Sequence, residues 1–189
     1  KPNSAGIWSL QAYAFCADPP PGLEIVSATS AAGSSNFQGV NVRCSARKQT
    51  VGAGGRINGG GNRVNLVTQA LGTAISTGTS ASGIENPNGF AGTWSVTAFA
   101  VCVTPVSVSD LQVVTSFSGS STGNRAFAQA TCPAGMRVTG GAAFADIPGV
   151  VDTVAPVGFG FSVQGIARNN SPELACGTSG ITVYAFCSS

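Results

Sequence analysis

The most regular pattern in the chain is a nine-residue stretch whose side chains sort into two sets at period two. In Trp94-Ser95-Val96-Thr97-Ala98-Phe99-Ala100-Val101-Cys102, one set is Trp94, Val96, Ala98, Ala100 and Cys102, and the other is Ser95, Thr97, Phe99 and Val101. Period two predicts a strand, because successive side chains on a strand point to opposite faces. The stretch is written three times, at residues 8–16, 94–102 and 179–187, and each copy ends in Cys. The second set begins polar and ends aromatic or aliphatic in every copy (Ser9, Gln11, Tyr13, Phe15; Gly180, Thr182, Tyr184, Phe186). The strand is therefore expected to be half exposed at its start and covered on both faces at its end. Its small Ala positions invite close approach of a second layer.

Similar short runs, β-branched or alternating, predict strands at residues 23–29, 39–44, 50–57, 64–68, 74–82, 111–117, 125–132, 136–144, 150–154 and 160–167. Asp18-Pro19-Pro20-Pro21-Gly22, residues 58–62 and Glu85-Asn86-Pro87-Asn88-Gly89 interrupt them as turns. Gly52-Ala53-Gly54-Gly55 falls inside a strand pattern, where glycines mark a bulge or close backbone approach. The order repeats: Leu23 matches Leu111, Val26 matches Val114, Cys44 matches Cys132 and Gly52 matches Gly140. This predicts one all-β domain of two tandem units, residues 17–102 and 103–187, with strand 8–16 closing onto a later part of the chain. No segment sustains a 3.6-residue period, so essentially no helix is expected.

At 189 residues the chain can bury a real core. Only 8% of residues are charged while 43% are hydrophobic, so folding is expected and the polar surface falls to Ser, Thr, Asn and Gln. A net charge of +2 from scattered Lys and Arg makes no nucleic-acid footprint. No apolar run approaches the ~20 residues of a membrane-spanning helix. The start, Lys1-Pro2-Asn3-Ser4, has no signal-peptide character, so any such segment is expected to have been removed. The six cysteines, with no His and no CxxC pair, predict three disulfides and an extracellular setting. Similar spacing suggests Cys16 with Cys44 and Cys102 with Cys132, leaving Cys176 with Cys187.

Cys132-Pro133-Ala134-Gly135-Met136-Arg137-Val138-Thr139-Gly140-Gly141, with the strand 94–102, resembles the signature of secreted actinobacterial Cys-rich β-repeat proteins of unknown function. That resemblance implies no activity. The first unit departs from it, with Ser45 for the Pro and Arg47 for the Gly, so a different turn is expected after Cys44. More loosely, the chain is similar to the β-prism of vitelline membrane outer layer protein I, which implies three Greek-key sheets. The expected fold is thus β-prism-like or a β-sandwich.

Without His, the usual triads and the commonest metal ligand are missing, and no metal site or cofactor is expected. Acid-base work would fall to carboxylates, with Glu85 and Glu173 the best pair because both precede a last strand. A loop carboxylate of this kind also suits backbone N–H groups in a turn. Asp146 and Asp152 flank a turn but bring too few oxygens for calcium. Trp8, Trp94 and Phe90, with Phe37 and Phe159, are candidate stacking residues, although Trp8 and Trp94 share a face with Val and Ala and equally suit the core. Arg47 and Arg56, with Arg43 and Lys48, concentrate positive charge in the first unit, where an anionic polymer would bind; a solvated face accounts for them too. Asn169-Asn170-Ser171 fits a glycosylation acceptor. The expected function is a secreted protein that binds extracellular glycan or cell-envelope polymer. A small polysaccharide hydrolase or lyase using Glu85 or Glu173, and a structural or inhibitory protein acting through a surface patch, are the alternatives. Oligomeric state is left open.

Overall fold

The computed structural model describes residues 11–14, 16, 18–70, 77–105, 111–119, 125–146, 149–158, 160, 162–169 and 180–189. Among them are twelve strands and no helix: β1 (Glu24–Thr29), β2 (Phe37–Arg43), β3 (Gln49–Gly59), β4 (Val64–Ala70), β5 (Gly78–Glu85), β6 (Trp94–Val103), β7 (Leu111–Ser118), β8 (Arg125–Thr131), β9 (Arg137–Ala145), β10 (Gly149–Val157), β11 (Ser162–Asn169) and β12 (Ile181–Ser188). They pair into four three-stranded antiparallel sheets, β1-β6-β3, β2-β5-β4, β7-β12-β9 and β10-β11-β8. The second half therefore repeats the strand order of the first. Of the first copy of the repeated stretch, residues 11–14 and 16 form no strand ladder, and the remainder lies outside the described residues.

Each half buries one apolar cluster fed by all six of its strands. In the first half Trp94, Val96, Ala98, Ala100 and Cys102 of β6 meet Val42, Val64 and Ala81, with Val26, Ala28, Val40, Ile57 and Leu66 packed around them. The second half matches this with Ile181, Val183, Ala185 and Cys187 of β12 against Ala126, Ala128, Ala130, Ala143, Ala145, Val163 and Ala167. Alanine at so many facing positions lets the layers close up, since a buried apolar atom is stabilised only when a neighbour reaches it.

A disulfide fastens one sheet to the other in each half, Cys44–Cys102 and Cys132–Cys187, with Cα separations of 5.8 and 5.7 Å. This corrects the spacing-based pairings Cys16–Cys44, Cys102–Cys132 and Cys176–Cys187. The reason is strand pairing: β3 begins five residues after Cys44 and runs beside β6, where Thr50 faces Cys102, so Cys44 lands next to the cysteine of its own half. Cys16 is an exposed free thiol and Cys176 lies outside the described residues. Closing loops of 58 and 55 residues restricts the unfolded chain by about 4 kcal/mol per bridge in the chain-entropy account.

The halves meet at a duplicated irregularity. The register of β3 on β6 slips between Thr50 and Gly52, and that of β9 on β12 slips at the equivalent step between Val138 and Gly140. The extra residues are Val51 and Thr139, and the single Thr139 hydroxyl proton is shared between the Val51 carbonyl at 3.1 Å and that of Phe186 at 3.2 Å. A β-carbon on Gly140 would collide with the Val51 carbonyl and lie 2.9 Å from Gly52 Cα. Glycine at 140 is therefore what lets the two bulges touch. Phe186 and Ala142, with Ala53, Val113 and Tyr184 around them, form a further cluster.

Burial along the repeated strand differs between copies. In β12 only the last residues of the outward set are covered, as expected, because Phe186 is buried at 1% exposure while Thr182 and Tyr184 stay half-buried. β6 reverses the expectation: Ser95 and Thr97 are buried and Phe99 and Val101 are half-buried. Its polar start is satisfied in place, since Asn58 Nδ2 donates to Ser95 Oγ (3.2 Å) and Thr97 Oγ1 (2.9 Å), and Thr29 and Thr97 share a hydroxyl bond at 2.8 Å. Buried hydroxyls are tolerated when paired.

Two outcomes are expected. Non-reducing peptide mapping should recover Cys44 linked to Cys102 and Cys132 linked to Cys187, with Cys16 alkylated. Gly140→Ala should lower stability by about 2 to 4 kcal/mol, read as a shifted denaturant midpoint, because main chain cannot yield as a side chain would.

Candidate functional site

Glu85 ends β5 and is 8% exposed. Its Oε2 accepts the Phe90 N–H at 2.9 Å and its Oε1 accepts the Trp94 indole N–H at 2.9 Å. Both oxygens are thus held by donors of its own loop, which makes this residue a clamp on residues 85–94. Its partner Glu173 lies outside the described residues. Strand pairing gives Glu85 a different counterpart: Ile84 faces Phe37 as Arg168 faces Arg125, so Asn169 stands where Glu85 does.

Trp94, 1% exposed, fills the core above Gly83, where a β-carbon would strike its ring. Trp94 thus takes the core position that its shared face with Val and Ala equally suited. Phe90 is half-buried against the same cluster with its ring over Gly92. Trp8 and Phe159 lie outside the described residues, as do Asn170 and Ser171. No group of three or more His, Cys, Asp or Glu able to hold a metal ion occurs among the described residues.

Arg47 is exposed and is the non-glycine residue with positive φ (67°) among the described residues. Its counterpart Gly135 has φ 87°. The same turn closes both segments, Lys48 N–H to Ser45 O at 3.1 Å and Met136 N–H to Pro133 O at 3.0 Å, so the change of sequence after Cys44 leaves the turn unchanged. What differs is a brace. Glu24 accepts the Ser45 N–H (2.9 Å), the Ser45 hydroxyl (3.1 Å) and the Lys48 ammonium (2.7 Å). The Lys48 bond, then the Ser45 N–H, hold the Glu24 carboxyl below the ordinary glutamate range. Arg47 therefore serves the turn, and Lys48 is already paired.

At the junction of the halves a cleft of about 530 Å³ opens over the two bulges, between Val101, Val154, Pro156 and Val163, with Gln11, Ala12 and Tyr13 along it. Tyr13 is the titratable side chain among its lining residues.

The outward faces of the two β6-type sheets occupy equivalent addresses with different chemistry. On β7-β12-β9, Thr182 is flanked by Phe117 and Phe144, and the next row carries Thr115, Tyr184 and Ala142. Phe117 is 61% exposed, and its ring lies against the space beside Gly180, next to the Asp146 carboxylate. On β1-β6-β3 the same addresses read Thr29, Thr97 and Arg56, then Ser27, Phe99 and Gly54. Arg56 is exposed, its Nε donates to Asn58 Oδ1 at 2.8 Å, and its guanidinium stands 6.0 Å from the centre of the Phe99 ring. Phe117, Phe144, Tyr184 and Asn58 did not stand out in the sequence. The outward aromatic set of the repeated strand pointed at Tyr184, but only the register places Phe117 and Phe144 beside it.

No protein family matches the sequence, and no curated protein shows recognisable similarity to it.

Two substitutions probe the loops. Arg47→Gly should raise stability by about 1 kcal/mol in chemical denaturation, because the left-handed conformation costs an L-residue about that much. Glu24→Gln should destabilise at neutral pH. A carboxyl held low stabilises the fold above its unfolded value, and that contribution is lost as pH falls through its folded value. The midpoints of the two proteins should therefore converge as pH is lowered below the ordinary glutamate value of 4.5.

Proposed function

We propose that the protein is a secreted glycan-binding protein in which each half is a small β-sandwich and the aromatic outer face of β7-β12-β9 is the platform for a sugar chain. The observation that carries this is the row Phe117, Thr182, Phe144 with Tyr184 beside it. Three aromatic rings on one sheet, with hydroxyls of Thr115 and Thr182 between them, offer apolar surface for the C–H face of a pyranose and donors for its edge. A strand framework holds them without ordering cost on binding, which favours affinity. The disulfides, and the lack among the described residues of a helix long and apolar enough to cross a membrane, are compatible with an extracellular place of action. The likeness to secreted actinobacterial β-repeat proteins is part of the same proposal. The engagement of both Glu85 oxygens within its own loop weighs toward binding over hydrolysis.

Affinity electrophoresis through gels containing neutral β-1,4-glucan, β-1,3-glucan, galactan or mannan tests this. The wild type should be retarded by at least one, and the exposed-ring variant Phe117→Ala should bind several-fold more weakly with an unchanged unfolding midpoint, while the double variant Phe117→Ala, Tyr184→Ala should bind about tenfold more weakly and, because Tyr184 packs on Phe186 and Ala142, unfold at a somewhat lower midpoint. Free migration of the folded wild type through all four gels would refute the reading.

A further inference from the structure

We propose that the outer face of β1-β6-β3 is a second sugar subsite specific for the carboxylate of a uronic acid, with Arg56 as its bidentate donor; this rests on the glycan-binding reading of the equivalent face in the other half. Arg56 is oriented before any ligand arrives. Its Nε donates to Asn58 Oδ1 at 2.8 Å. Asn58 cannot turn away, because its amide group donates to Ser95 and Thr97, which fixes its oxygen toward the guanidinium. The Phe99 ring flanks the group at 6.0 Å, a cation–π arrangement that holds the plane of the fork. With Nε used, the terminal nitrogens of a planar five-donor group are left for a planar two-oxygen acceptor.

Among the described residues Arg56 takes part in no ion pair. Glu24 is paired with Lys48 and Glu85 is closed on Phe90 and Trp94, while the neighbours of Arg56 on its own face, Thr97 and Thr29 across the sheet, are uncharged. The framework does not demand a cation here either. At the corresponding positions the second half carries Phe144 for Arg56 and Asp146 for Asn58. One frame thus holds a cationic face and an aromatic one.

Binding at fixed ionic strength to polygalacturonate, to its carboxyl-reduced polymer and to dextran sulfate tests this, with the neutral glycan gels above run alongside. Polygalacturonate should bind the wild type. Arg56→Gln should bind it about tenfold more weakly, Arg56→Lys nearly as poorly because a point charge cannot form the fork, and Asn58→Ala several-fold more weakly because the fork is no longer held. Carboxyl reduction should remove the Arg56 dependence, and Phe117→Ala with Tyr184→Ala should leave it in place. The subsite is overturned if Arg56→Gln binds polygalacturonate as well as the wild type, if Arg56→Lys is equivalent to the wild type, or if dextran sulfate replaces polygalacturonate as the Arg56-dependent ligand. Neutral-glycan retention lost on Phe117 and Tyr184 substitution alongside an indifferent Arg56 would remove this subsite and leave the aromatic platform standing. An Arg56-dependent uronate signal without any neutral-glycan retention would do the reverse.

Discussion

Each half of the molecule depends on two thin sheets being drawn close enough for alanine to fill the space between them. The central strand of one sheet offers Val96, Ala98, Ala100 and Cys102 to the other, side chains too short to bridge a wide gap. Close approach is enforced covalently, because Cys102 in β6 is bonded to Cys44 at the end of β2, and Cys187 in β12 to Cys132 after β8. A small-residue interior contributes little apolar area per side chain. Cross-linking offsets that by restricting the unfolded chain, the usual recourse of domains with slender cores.

With the interior fixed by small residues and cystines, the outward faces are free to diverge. Positions that serve the frame hold their kind between halves: Ala100 and Ala185, Cys102 and Cys187, Gly52 and Gly140, and the turn closed by Ser45 or Pro133. Positions that face outward do not. Arg56 has become Phe144 and Thr29 has become Phe117 at equal addresses. Even within a turn the frame absorbs a change, Arg47 accepting the backbone conformation of Gly135 while Glu24 braces the segment. The contrast between fixed and varied positions inside one chain supplies the functional argument.

Strands were legible in the sequence because period-two alternation is a local property, and twelve of the thirteen predicted segments correspond to strands of the structure. The exact limits of β5 were not, since it starts at Gly78 where the pattern suggested residue 74. Disulfide partners depend on which strand lies beside which, and similar spacing between cysteines carries no such information. The same gap hid the aromatic row, as Phe117 and Phe144 are 27 residues apart and meet only across Thr182. The role of Glu85 was half visible: a turn carboxylate taking a backbone N–H could be read from the loop, whereas its bond to the Trp94 indole required the tertiary fold.

The contact between the halves has a further meaning. Val51 and Gly52 touch Thr139 and Gly140, which are their own counterparts, so at this point each half meets the other through the same part of itself. A surface that recognises its own copy is what a two-fold homodimer possesses. Within one chain that contact is released from symmetry, so one half carries a side chain, the Thr139 hydroxyl, that a true dimer would be obliged to carry twice.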